Sequence, residues 1–228
     1  MTLMKRTTIR SLVVALAFLS ISLTSILPAT AEPSNLSDEE IAGILFMREE
    51  EKLARDVYLF FADLYPSYDI FTNIASSEQK HMDSVKRIID WYGLDDPVGD
   101  NEIGEFTDDS LQDLYNALID KGSQSLIEGL NVGAAIEEID ILDIEQYLEF
   151  TDEWMINRVY NNLLDGSENH LRAFVKELSM QGVTYQPQYL DDDTFNDIIG
   201  AGSDSGRNGS NWSGLFDWVR GLFRWHRG

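Results

Sequence analysis

The sequence predicts an all-α protein, a bundle of four long helices with an extended crossover, containing a short helix, between the second and the third. Three observations predict it. Four long segments repeat apolar residues with the 3.6-residue period of a helix. Each segment is bounded by capping or helix-breaking residues. No stretch shows the period-2 alternation of a strand that competes with this pattern.

The first long helix opens in "NLSDEEIAGILF". Ser37 is its cap, Glu40 the capping-box partner three residues on, and Leu36 with Ile41 the hydrophobic staple. The pattern runs from Asp38 to Tyr65, where Pro66 stops it. The second long helix spans Asp69 to Tyr92 and ends at Gly93. The polar stretch "LDDPVGDNEIGEFTDD" and the short helix "SLQDLYNALIDKG" then fill the crossover, closing at Gly122. The third long helix spans Ser125 to Phe150. The fourth runs from Asp152 to Met180 and ends at Gly182, with Gly166 as an expected bend. Helix pair, crossover, helix pair: the order suggests an internal repeat.

The ends read differently from the middle. Lys5, Arg6 and Arg10 precede the apolar run "SLVVALAFLSISLTSIL", and "PATAEP" offers the A-x-A cleavage pattern at Ala29 and Ala31. Residues 1–31 are therefore expected to be a signal peptide, and the protein is expected to be exported (secreted, periplasmic or in the cell envelope). The bundle is assigned to residues 32–190. Residues 191–214 read as an acidic and then Gly/Ser/Asn-rich linker, although "VTYQPQYLDDDTFNDIIG" has the character of an ordered or half-ordered extension. Residues 215–228 form an aromatic and basic tail. On a helix its Leu215, Trp218, Val219, Leu222 and Trp225 share one face, with Arg220, Arg224 and Arg227 largely on the other. Such a tail suits a peripheral membrane contact, a partner, or this chain's own acidic body.

Charge and composition exclude several classes. The formal net charge is −23, and removing the three basic residues of the first 31 takes it to −26. Nucleic acid is excluded as a partner, because phosphate neutralisation requires a basic surface. A charge of this sign suits solubility or the attraction of cations. There are no cysteines, so thiolate zinc sites, iron–sulfur clusters and Cys-ligated rubredoxin modules are excluded too.

The chemistry is carried by acids and histidines. "SSEQKHMDSV" sets Glu78 three residues before His81, one helical turn apart on one face. Of three histidines, His81 and His170 fall on the second and fourth long helices, equivalent members of the two pairs. Three residues before His170, where a second Glu-x-x-His has its acid, stands Ser167. In "MREEEKLARDVY", Glu51 shares a face with Ala54 and Tyr58, while Glu50 stacks with Leu53 and Val57 and stays an alternative; Glu49 reads as part of a solvated acidic run. In "GAAIEEIDILDIEQYL", Glu137 lies on the most apolar stripe with Ile141, Ile144 and Leu148, and Asp140 is one turn along. Glu138 looks more solvated, though a modest rotation exchanges the two. Tyr58 reads as core, or as a hydrogen-bonding or redox group, and Arg172 as a structural ion-pair partner.

"EEEKLARDVY", "SEQKHM", "IEEIDI" and "NHLRAF", in this order over roughly residues 36–190, resemble the ferritin-like superfamily. The likeness is closest to an uncharacterised exported prokaryotic branch, a domain of unknown function. Ferritin-like di-iron proteins use one Glu from each of two helices and a Glu-x-x-His from each of two others. The resemblance thus implies Glu51 and Glu137 as lone acids, Glu78 with His81 as the intact pair, and His170 from the broken pair. Asp140 is offered as the replacement for the acid missing at Ser167, much as rubrerythrin-like sites carry an extra acid. One metal or two stays open at this point.

Physical chemistry points the same way. Gathering several carboxylates in an interior costs several kcal/mol per ion unless cations compensate them. Oxygen-rich ligands with two imidazoles suit iron, two ions being expected, with manganese or zinc as alternatives. The expected activity is oxidoreductase chemistry on dioxygen, peroxide or ferrous iron, a peroxidase needing an external electron donor; a homodimer is among the expected assemblies. The alternative is a cell-envelope metal-binding or interaction protein without turnover. A metal-free structural bundle is the third reading.

Overall fold

The computed structural model describes residues 36–200, and they are all-helical, with no strand among them. The expected signal peptide, the linker beyond residue 200 and the aromatic tail lie outside the described residues. Six helices follow in order: α1 Asp38–Leu64, α2 Asp69–Tyr92, α3 Asp109–Gly122, α4 Leu126–Leu148, α5 Trp154–Met180 and α6 Asp192–Ile199. None of them is long and apolar enough to cross a membrane.

Local chemistry explains the ends. The Glu40 amide donates to Ser37 Oγ at 3.1 Å, and the Ser37 amide donates back to Glu40 Oε2 at 2.8 Å, a complete capping box. Gly93 closes α2 in the left-handed region at φ 68°, where a side chain is disfavoured, and the Leu94 amide reaches back to the Ile89 carbonyl. Asp108 caps α3 and Ser125 caps α4 through their side chains. α5 begins two residues later than expected, with Glu153 at its cap position; Thr151 stays ahead of the helix, where its hydroxyl donates to Glu40 Oε1 at 2.6 Å and accepts from the Glu153 amide. α5 then continues as one helix through Gly166, where a bend was expected.

α1 packs chiefly on α2 and α4 chiefly on α5; the two pairs meet through α1 with α4 and α2 with α5. α3 lies against α1 and α4, and α6 against α5. The apolar core falls into two clusters. One contains Tyr58, Phe61, Phe71, Leu130 and Phe174, the other Ile44, Met47, Ile88, Ile144 and Tyr160. On α1, α2 and α5 most of the residues that separate these clusters are polar, and α4 interleaves polar with apolar positions at the same level. The functional side chains occupy that seam.

Two expectations need correction. Residues 191–200, assigned to the linker, contain α6, whose Phe195 and Ile198 are buried against the core while Arg172 Nε donates to the Ile198 carbonyl at 2.6 Å. The apolar spacing of that short segment is enough to seat it. Glu49, read as solvated, is buried and accepts from the Thr107 amide at 2.5 Å and the Asp108 amide at 3.2 Å. The crossover brought those donors from far along the chain.

Candidate metal centre

α1 brings Glu50 and Glu51 into the seam, α2 brings Glu78 and His81, α4 brings Glu137, Asp140 and Asp143, and α5 brings Ser167 and His170. The five acids Glu50, Glu51, Glu78, Glu137 and Asp140 are all buried. Two groups can each hold an ion: Glu51, Glu78 and His81, and Glu78, Glu137 and His170, with the donor atoms of each group within 4.8 Å of one another. Glu78 belongs to both. Its Oε2 lies 2.7 Å from His81 Nδ1, and its Oε1 lies 2.7 Å from His170 Nδ1. Glu51 Oε2 completes one group at 3.1 Å from His81 Nδ1, and Glu137 Oε2 the other at 3.4 Å from His170 Nδ1. The two imidazole rings stack with centroids 5.4 Å apart.

Neighbouring groups orient these donors. The Tyr58 hydroxyl donates to Glu137 Oε1 at 2.6 Å, which leaves Oε2 directed at His170. The Ser167 hydroxyl donates to Asp140 Oδ2. The position that lost its acid thus holds the acid offered in its place, although Asp140 belongs to neither three-residue group. Gly166 is required by close approach: a Cβ there would meet His81 Cε1 and Nε2 at 2.5 Å. Gly166→Ala is therefore expected to push the ring off its present position and weaken metal binding at the Glu51 side by about ten- to a hundredfold, the cost of disturbing a ligand's support. Metal titration at each position checks this; unchanged affinity would mean the ring position is unimportant.

The electrostatics are those of an interior short of cations. Burial first, then the charges of Asp140 and Glu78, push Glu51 well above the usual carboxylate range despite His81. Burial, Asp143 and Asp140 do the same to Glu50. Burial with Glu137 and Glu78 raises Asp140 to about 8. Burial opposes ionisation of Glu78 as well, but the two imidazoles outweigh it and hold this carboxyl below its ordinary value. Burial depresses the histidines, yet Glu51 and Glu78 lift His81 to about 12, and Glu137 and Glu78 lift His170 to about 10. Without an ion, protons must neutralise this cluster.

The donor atoms fit a metal. Glu51 Oε1, Glu78 Oε1, Asp140 Oδ1 and His170 Nδ1 are buried and have no hydrogen-bond partner. The 2.7 Å approach of His170 Nδ1 to Glu78 Oε1 thus lacks the direction of a hydrogen bond. Such orphaned donors are costly unless something else occupies their lone pairs.

The open alternatives between neighbours resolve by surroundings. Glu51 stands in the ion-holding group, whereas Glu50 turns to Asp143, with which it shares a side-chain hydrogen bond. Glu137 faces the seam, whereas Glu138 is fully buried elsewhere. It accepts from the Tyr185 hydroxyl at 2.6 Å and from the amides of Gln188 at 2.9 Å, Tyr189 at 2.7 Å and Leu190 at 2.9 Å. The expectation of a more solvated Glu138 is overturned, because the returning segment after α5 covers it. Sequence reasoning also missed the buried acid pair Glu50 and Asp143. Arg172 makes its expected ion pair, 2.6 Å from Glu168.

Comparison with known proteins places this geometry in context. Residues 40–202 match the family described as uncharacterized protein domain DUF2202. The uncharacterized protein MJ0754 of Methanocaldococcus jannaschii is 45% identical over 173 residues, which cover 76% of this chain and 93% of that protein. The crystal structure of the hypothetical protein MJ0754 from Methanococcus jannaschii superposes with a TM-score of 0.72 at 43% identity, covering 77% of this chain and 100% of that one.

Proposed function

The chain belongs to the DUF2202 family of uncharacterized protein domains, and from its buried seam we propose a ferritin-like four-helix bundle that holds two metal ions. Iron is the favoured metal, with manganese or zinc as alternatives, since the donors are carboxylates and imidazoles without thiolates. The proposed activity is that of an exported oxidoreductase acting on dioxygen, peroxide or ferrous iron. Export rests on the signal-peptide reading of residues 1–31. One observation carries the proposal: Glu78 offers one oxygen to each of two otherwise separate ligand groups, as a bridging carboxylate does.

Glu51 and His81 would hold one ion, Glu137 and His170 the other, and Glu78 would link them. Such a pair, when bound, supplies two redox centres close enough to act together on one small oxidant. The chain's own residues prepare the place. Tyr58 fixes the Glu137 carboxylate, Ser167 fixes Asp140, and the apolar clusters on both sides keep bulk water away. In the ion-free cluster Asp140, raised to about 8 by burial and by Glu137 and Glu78, can hold a proton.

Elemental analysis of the chain beside His81→Ala and His170→Ala tests the reading. Each substitution is expected to remove one ion or both. If all three proteins carry the same metal content, or none carries any, the assignment fails. The second reading, metal binding without turnover, is favoured by one observation: Ser167 supplies a hydroxyl where an acid is expected, so the donor set is poorer. Metal-loaded protein that neither oxidises ferrous iron nor consumes peroxide would select it.

A further inference from the structure

Away from the buried centre, a cleft of about 720 Å³ opens between the first half of α1 and the end of α4. Its apolar wall is Leu45 and Phe46 of α1 with Tyr147 and Phe150, the last 52% exposed. Its rim is acidic. Glu39 and Glu149 stand exposed on it, and Glu49 with Asp108 lies at the α1 end farther into the helix. None of the described residues that line it is basic. From Glu39 to Glu49 the cleft follows eleven residues of α1, about 16 Å at ~1.5 Å per residue. An apolar slot with a uniformly negative rim selects an apolar segment that carries positive charge.

We propose that this cleft is the docking site of the chain's own C-terminal tail, residues 215–228. Three matches support it. The tail's Leu215, Trp218, Val219, Leu222 and Trp225 provide one apolar helical face, and 11 residues from Leu215 to Trp225 give a helix of about 16 Å, the length of the cleft. Arg220, Arg224 and Arg227 oppose the acidic rim, against a single acid, Asp217, in the tail. The tether is long as well: the stretch from Gly200 to Leu215 reaches up to about 50 Å when extended, against roughly 40 Å for the whole length of α1. A linker of Gly, Ser and Asn then converts docking into an intramolecular event with a high effective concentration. The inference is independent of what the buried centre holds.

The test uses the full chain with Trp91→Phe and Trp154→Phe, both exposed positions, which leaves Trp212, Trp218 and Trp225 as the only tryptophans. A free peptide of residues 211–228 is the reference. The expected result is blue-shifted emission and several-fold weaker acrylamide quenching than in the peptide, unchanged on dilution. Adding Glu39→Lys with Glu149→Lys, or separately Leu45→Lys, should restore peptide-like quenching while helix content by circular dichroism stays the same. Peptide-like quenching in the parent chain would overturn the proposal, as would protection indifferent to both groove variants. Protection that vanishes on dilution would assign the tail to a second copy, and protection seen only with anionic phospholipid vesicles would assign it to a membrane; either result also rejects docking in this cleft.

Discussion

Replacing Glu78 by Gln is expected to abolish binding at both metal positions, whereas Glu51→Gln and Glu137→Gln each weaken only one. The asymmetry follows from geometry: Glu78 Oε2 faces His81 and Glu78 Oε1 faces His170, while Glu51 and Glu137 each serve a single group. Disturbing even a ligand's hydrogen-bonding partner costs about ten- to a hundredfold in affinity, so loss of the shared carboxylate should exceed about a hundredfold at both positions. The amide would keep the shape but lose the charge that would balance the two proposed cations. Isothermal titration with ferrous or manganous ion checks this, with two sites in the parent, one strong site in each single-group variant and none in Glu78→Gln. A Glu78→Gln protein that keeps one site at full affinity would show that the two groups do not share this residue.

The largest expected loss of stability lies at Lys52. Its side chain is fully buried, with Nζ 2.5 Å from Asp56 Oδ2, 2.7 Å from the Glu102 carbonyl and 4.5 Å from the centre of the Phe106 ring. Asp56 also accepts from Arg55 and from the Gly104 amide. The pair therefore ties the crossover to α1, as Arg48 does by its paired bonds to Asp96. Lys52→Met preserves the stem but removes one of the two cations beside the buried Asp56, which keeps Arg55 and the Gly104 amide, and takes away the donor to the Glu102 carbonyl. The expected cost is about 1.5–3 kcal/mol, the worth of a lost hydrogen bond to a buried charged group that keeps its other partners. Adding Asp56→Leu is expected to deepen the loss, because the Arg55 guanidinium and the Gly104 amide then lose their acceptor. Denaturant melts of the three proteins measure both effects. A loss below about 1 kcal/mol, the worth of an exposed pair, would mean that Lys52 is not holding the crossover.

What the sequence made legible was local. Ser37 with Glu40, Pro66 and Gly93 set helix ends through neighbours within four residues, and α1, α2, α3 and α4 begin and end close to where those signals lie. Helical spacing also marked Glu51, Glu78, His81, Glu137 and His170 as faces worth comparing, and the fold brings these five together. The rest needed distant partners. Adjacent residues on a helix differ by about 100°, so Glu137 and Glu138 could not be ranked until the segment from Tyr185 to Leu190 claimed Glu138. Glu49 looked solvated because its donors, Thr107 and Asp108, come from the crossover. Asp143 and Glu50 face each other across two helices, a juxtaposition that no spacing within either segment encodes.

Glu78 is proposed to serve two ions with its one carboxylate. Anomalous diffraction from crystals grown with ferrous or manganous ion, recorded at that metal's absorption edge, addresses it directly. Two peaks flanking Glu78 are expected, one beside Glu51 and His81 and the other beside Glu137 and His170. A single peak that does not touch Glu78, or density for metal only at the exposed acidic surface, would contradict it.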